Sequence, residues 1–163
     1  MTNHRRSQQR MTNKRSKTVK ILYLEDNKLS VQLVEAILNE LMPAYEMKII
    51  KTKKELLKIS IQFKPDIILS SYQPEKYSIS ETHELLLTEN HRISHIIITE
   101  ILSEEISNEL VRKRVEAYVF KSNLTQLPFS IMNAIEKNKV IHDGVNTVKV
   151  VRRLLSVNKD LIL

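Results

Sequence analysis

The chain has 163 residues, 42% of them hydrophobic and 28% charged, with a formal net charge of +7 and no cysteine. That length suits one compact domain with a modest extension, and the apolar content suffices for a buried core, which excludes wholesale disorder. The lack of cysteine excludes a disulfide framework, a thiol nucleophile and cysteine-ligated metal centres, and no apolar run reaches membrane-span length or forms a signal-peptide core.

The basic excess belongs to the first segment. Residues 1–20 hold seven Lys and Arg (Arg5, Arg6, Arg10, Lys14, Arg15, Lys17, Lys20) and no acid, so the remaining 19 basic residues balance 19 acidic ones. Within residues 1–18 only Met1 and Met11 are apolar, so this stretch is expected to be a disordered basic tail. Met1-Thr2-Asn3 recurs as Met11-Thr12-Asn13, and Met11 is an alternative start that removes three of the seven charges. A tail of this kind can bind nucleic acid or acidic surfaces. It has no apolar helical face, as a mitochondrial presequence needs. The neutral remainder gives no ground for a nucleic-acid function.

From Val19 the pattern changes. Val19–Leu24 is a short run rich in β-formers, followed by Glu25-Asp26-Asn27. Leu33, Val34, Ile37, Leu38 and Leu41 recur at helical spacing after Asn27, a suitable N-cap, and Pro43 ends the pattern. Met47–Thr52 reads as a second strand, and Lys53–Phe63 as a helix with Leu56, Ile59 and Phe63 on one face. Asp66–Ser71 is the third strand, apolar enough to be buried on both sides. A polar loop with Pro74 leads to a short helix near 80–88. Ser94–Thr99 is a fourth strand, Ser103–Val115 a polar helix with a thin apolar stripe, and Ala117–Phe120 a brief fifth strand. Leu127, Ile131, Ala134 and Ile135 mark a final helix, with Pro128 tolerable in its first turn.

Alternation of apolar strands with helices implies a parallel sheet covered on both faces. The expected class is α/β, a doubly wound five-stranded parallel sheet in the order 2-1-3-4-5, spanning 19–140. Residues 141–163 form an extension that is partly helical, with Val148, Val151 and Leu155 as an apolar stripe beside Lys149, Arg152 and Arg153. Gly144 and Asn146 suggest a break before it. It is too short for a DNA-binding output domain. Docking on the domain or pairing with a second copy is expected of it, with weak binding to a membrane surface as a further option.

In such sheets the site lies at the carboxyl ends of the strands. That rule selects Glu25 and Asp26, Ser71, Thr99 and Glu100, and Lys121. The runs Ile21–Asn27 (ILYLEDN), Pro65–Pro74 (PDIILSSYQP), His95–Glu100 (HIIITE) and Ala117–Lys121 (AYVFK) resemble the receiver domain of bacterial two-component response regulators, over roughly 19–140. The resemblance implies a flavodoxin-like receiver fold. It also implies an acidic pair that binds magnesium (Glu25, Asp26), a Thr and a lysine that contact phosphate (Thr99, Lys121), and an aromatic that moves with the switch (Tyr118). The residue that takes phosphate from a histidine kinase should be an aspartate ending the third strand. Here that position is Ser71. Asp66 is no substitute, because it begins the strand and lies roughly 16 Å away at 3.3 Å per residue. Ser70 points to the other face.

The chemistry follows from that exchange. Phosphotransfer to a carboxylate needs an ionised nucleophile and a divalent cation. A serine hydroxyl with no evident base supplies neither the nucleophile nor a metal ligand. Two carboxylates against Lys121, which can pair with Asp26, leave magnesium binding weak or absent. Glu100 adds bulk and charge where the family has a small residue, Ser122 replaces the usual proline, and residues 19–140 contain no glycine. Plainer readings stand beside these. Glu25 and Asp26 can be polar residues at a strand end, Thr99 can bond loop backbone, and Tyr118 can be a packed aromatic. A Ser71–Lys121 catalytic dyad lacks an oxyanion hole. His91 and His95 lie on a loop and a strand start, not on one helix face, and a single glycine excludes a phosphate-binding glycine loop.

The expectation is therefore a stand-alone pseudo-receiver in the cytoplasm, not an enzyme and without a cofactor. It would act by protein–protein contacts in phosphorelay signal transduction without aspartyl phosphorylation. The partner is a kinase, phosphotransfer or target protein. Self-association through the fourth and fifth expected helices or the C-terminal extension is a second contact. Alternatives are a regulator phosphorylated through a non-aspartate route, Ser71 included, and a basic-tailed nucleic-acid binder.

Overall fold

Strands that are apolar on both faces need a cover on both faces. The computed structural model describes residues 17–42, 44–73, 93–113 and 115–159. In chain order these form β1 (Val19–Leu24), α1 (Lys28–Leu41), β2 (Tyr45–Ile50), α2 (Lys53–Phe63), β3 (Ile67–Ser71), β4 (Ser94–Thr99), α3 (Glu104–Lys113), β5 (Ala117–Phe120) and α4 (Leu127–Lys159), with a 3-10 turn over Lys121–Gln126. All neighbouring strands are parallel, in the order β2-β1-β3-β4-β5. This is the doubly wound sheet that the alternation implied. The expected helix near 80–88, the basic stretch 1–16 and His91 lie outside the described residues.

Period-two alternation sorts the strand residues into two cores. Ile21, Tyr23, Ile67, Leu69, Ile96, Ile98 and Val119 face α1 and α4, meeting Val34, Leu38, Leu127, Ile131 and Ala134. Leu22, Leu24, Ile50 and Ile68 face α2, meeting Leu56 and Phe63. Ile97 meets Ile106 of α3. Each fully buried Leu or Ile contributes about 1.5–3 kcal/mol relative to exposure, so the central strands carry most of the stability.

Helix boundaries follow local chemistry. Asn27 caps α1, its Oδ1 accepting from Leu29 N and Ser30 N. The second strand ends at Ile50, two residues before the expected limit. Lys51 N and Thr52 N are instead held by Glu55 Oε2, and Thr52 Oγ1 accepts from Glu55 N in a capping box. Lys64 takes the left-handed conformation (φ 51°) that closes α2, a place usually given to glycine.

The break expected near Gly144 and Asn146 is absent. Gly144 has no positive φ, and α4 runs unbroken from Leu127 to Lys159. Glycine lowers helix propensity by about 1 kcal/mol but keeps its N–H, so it does not stop a helix as proline does. At 1.5 Å per residue α4 is about 50 Å long, whereas a six-residue strand spans about 20 Å. The helix therefore continues well past the sheet it covers.

At the amino ends of the strands, Asp66 ties β1 to β3. Its Oδ2 accepts from Lys20 N at 2.9 Å, its own N–H donates to Lys20 O at 2.8 Å, and its Oδ1 pairs with Lys17 at 2.8 Å. It is a structural residue at the end of the sheet opposite Ser71.

Candidate functional site

The register of β1 on β3 sets Tyr23 against Leu69 and Leu24 against Ser70. Continued by one residue, it brings Glu25 beside Ser71. Tyr23, Glu25 and Ser71 all project to the α1/α4 side, since their neighbours Ile21, Ile67 and Leu69 do. All three are buried, Glu25 at 0% exposure and Ser71 at 1%.

Burying a carboxylate is costly unless its oxygens are filled by donors. Glu25 is filled on both sides. Its Oε1 accepts from Asp26 N and Asn27 N, each at 2.9 Å, and from Gln73 Nε2 at 3.1 Å. Its Oε2 accepts a short hydrogen bond from Ser71 Oγ and a long one, 3.5 Å, from Tyr23 OH. Tyr23 OH also lies 3.1 Å from Ser71 Oγ. Gln73 Nε2 reaches Asp26 Oδ1 at 3.4 Å. Asp26 itself is exposed.

The environment of Tyr23 has a measurable consequence. Burial pushes its phenol far above the ordinary value of 10.0; the Ser71 hydrogen bond opposes this, while the charge and hydrogen bond of Glu25 add to it. The folded-state value is raised, so Tyr23 contributes its full stability below about pH 10 and loses it as the pH rises beyond, where only the unfolded chain ionises. In an alkaline titration followed by phenolate absorbance, Tyr23 is expected to ionise only with unfolding. The Tyr23→Phe variant should show the same pre-unfolding absorbance change as the parent. A smaller change in the variant would mean that Tyr23 is not enclosed.

The other expected site residues are placed apart from this network. Thr99, 2% exposed, donates from Oγ1 to Ile101 O at 2.7 Å and accepts from Ile101 N at 3.3 Å, so it fastens the loop after β4. Lys121 Nζ pairs with Glu100 Oε1 at 3.3 Å, and not with Asp26 as the charge balance had suggested. Glu100 is largely exposed, so this pair is worth ~0–1 kcal/mol. Tyr118, implied as the switch aromatic with a packed aromatic as the plainer reading, is 43% exposed, and its ring meets that of Phe120 edge-on with centroids 5.5 Å apart. On the opposite face Ser70 Oγ lies 2.7 Å from His95 Nε2 in a buried pair, confirming that it points away from the Ser71 side.

The structure thus assembles Glu25, Ser71 and Asp26, and adds two residues that the sequence reading passed over, Tyr23 and Gln73. Each stands two positions from a residue already singled out, Glu25 and Ser71. For Tyr23, on a strand, that spacing fixes the same side of the sheet. Among the described residues no three His, Asp or Glu side chains converge in a way that could hold a metal ion.

No protein-family model matches the chain, and no curated protein does. Solved structures do. A signal receiver domain from Vibrio parahaemolyticus is 19% identical and aligns with a TM-score of 0.67, covering 78% of this chain and 97% of that one. The response regulator domain of CheB from Thermotoga maritima is 18% identical, with a TM-score of 0.62 over 73% of this chain and 97% of that one. A receiver domain of a modulated diguanylate cyclase from Desulfovibrio desulfuricans G20 is 23% identical, with a TM-score of 0.63 over 76% and 98%. Likeness at this level concerns the fold: the chain has the flavodoxin-like receiver fold.

Proposed function

We propose that this chain is a pseudo-receiver, a response-regulator-like module that works in phosphorelay signalling by protein contacts and without aspartyl phosphorylation. One observation carries the reading. The end of β3, where the fold's chemistry would be carried by a carboxylate, holds Ser71, and its hydroxyl donates to buried Glu25. A base does stand beside the hydroxyl, Glu25 Oε2, contrary to the sequence expectation. But a serine hydroxyl is un-ionised near neutral pH, and at 1% exposure this one is closed to a phosphodonor, with Lys121 engaged elsewhere. The same enclosure weighs against phosphorylation of Ser71 by a protein kinase, which needs an accessible hydroxyl.

The contacts that replace chemistry belong to the surface. On α3, Glu104 and Arg112 are exposed, and Tyr118 is exposed on the edge strand β5. On α4, Phe129, Met132 and Val140 are exposed, Phe129 at 71%. This side offers a signalling partner or a second copy both charge and apolar area. Among the described residues no helix is long and apolar enough to cross a membrane, and the proposed setting is the cytoplasm.

The test is direct. Incubation with a small phosphodonor and magnesium, followed by intact-mass measurement, is expected to leave the mass unchanged. A stoichiometric gain of about 80 Da, acid-labile or acid-stable, would sink the proposal.

A further inference from the structure

The receiver family that the sequence resembles holds magnesium at the acid pair, and the donors present here do not fit that ion. Magnesium requires carboxylate oxygens aimed at one point about 2.1 Å away, with waters completing a near-octahedral shell. With Gln73 in place, Glu25 has no oxygen to offer. Oε1 already takes Asp26 N, Asn27 N and Gln73 Nε2, and Oε2 takes the hydroxyls of Ser71 and Tyr23. What lies between the two acids is an amide nitrogen: Gln73 Nε2 is 3.1 Å from Glu25 Oε1 and 3.4 Å from Asp26 Oδ1. A primary amide has two N–H groups, so one nitrogen can serve both carboxylates. It lowers their mutual repulsion by the same geometry that a bridging cation uses, with partial charge in place of full charge.

We propose that the Gln73 side-chain amide stands in for the divalent cation. It ties Glu25 and Asp26 to the segment after β3, so that this end of the sheet is a closed hydrogen-bonded clamp and not a metal site. Gln73 is a positioning residue. It acts through the two acids, and with Ser71 it joins the chain after β3 to the chain after β1. The claim concerns the same site as the functional reading above, but a different property: that reading concerns phosphoryl acceptance at Ser71, and this one concerns what neutralises the acids.

The experiment compares melting temperatures of the full chain, Gln73→Ala and Gln73→Glu. Each is measured in chelator and in magnesium chloride, with sodium chloride matching the ionic strength so that screening cancels. The parent is expected to melt at the same temperature in both. Gln73→Glu keeps the shape but replaces the donor with a third carboxylate. It should melt lower in chelator and recover by about 4 °C in magnesium, the shift for a ligand roughly tenfold above its Kd. Gln73→Ala should fall and recover in the same sense by less. Magnesium recovery confined to the variants supports the clamp, because loss of a merely structural residue is not rescued by a cation. Magnesium stabilisation of the parent equal to that of the variants, or variants that do not respond, overturns it. No phosphodonor is involved, so a phosphoryl adduct at Ser71 would overturn the functional reading and leave this one standing.

Discussion

Replacing Glu25 with alanine is expected to cost about 3–4 kcal/mol, read from urea unfolding of Glu25→Ala against the parent. The side chain is fully buried and accepts from two backbone N–H groups, two hydroxyls and an amide. Two effects oppose each other. Removing a buried charge recovers its desolvation cost, which is several kcal/mol. Against this, five donors lose their acceptor, and each buried donor left unsatisfied costs about 1–3 kcal/mol. Water entering the vacated space satisfies the peripheral ones, Asp26 N, Asn27 N and Gln73. Ser71 and Tyr23 lie deeper and retain only each other. The donors win, and the loss is a large part of a domain's typical 5–15 kcal/mol. Glu25→Gln keeps the shape but turns N–H groups toward existing donors, so it should recover less than half of the loss. A Glu25→Ala chain as stable as the parent would mean that the network contributes nothing to the fold.

Placing a carboxylate at the end of β3 is expected to harm the protein. Ser71→Asp places a second carboxylate against Glu25 in a pocket where Ser71 is 1% exposed. Two like charges at that distance cannot both stay ionised at low cost, so the new aspartate's folded-state value is raised above its unfolded value near 3.9. The sign follows from linkage. The unfolded chain gives up its proton first, so the variant loses stability as the pH rises above about 4. It recovers stability, relative to the parent, as the pH falls. A deficit of about 3 kcal/mol at pH 7 that shrinks by pH 5 is the expected result, measured by urea unfolding of both chains at each pH. An equal deficit at both pH values would assign the effect to side-chain volume alone.

Much of this architecture was legible in the residues. Runs such as Ile67–Ser71 and Ser94–Thr99 have no polar face, so only a two-sided sheet can bury them. Counting along β3 then placed Ser71 at the site and Asp66 at the far end, because strand geometry is rigid enough for arithmetic. The misses share another cause. The partner of Lys121 and the bridging of two acids by Gln73 depend on how loops from different strands converge, which local spacing does not encode. The continuity of α4 through Gly144 was missed because propensity is a weak prior that context overrides.

That continuity has a geometric consequence. In an unbroken helix, residue number becomes an angular coordinate. Each position beyond the sheet advances by about 1.5 Å and turns by about 100°. Leu127, buried against the sheet, therefore fixes the compass bearing of every later residue. Positions that follow it at seven-residue intervals, Ala134, Ile141, Val148 and Leu155, return to nearly the same bearing, drifting by about 20° each time. The core of the domain thus sets not only where the far end of α4 lies but which way it faces.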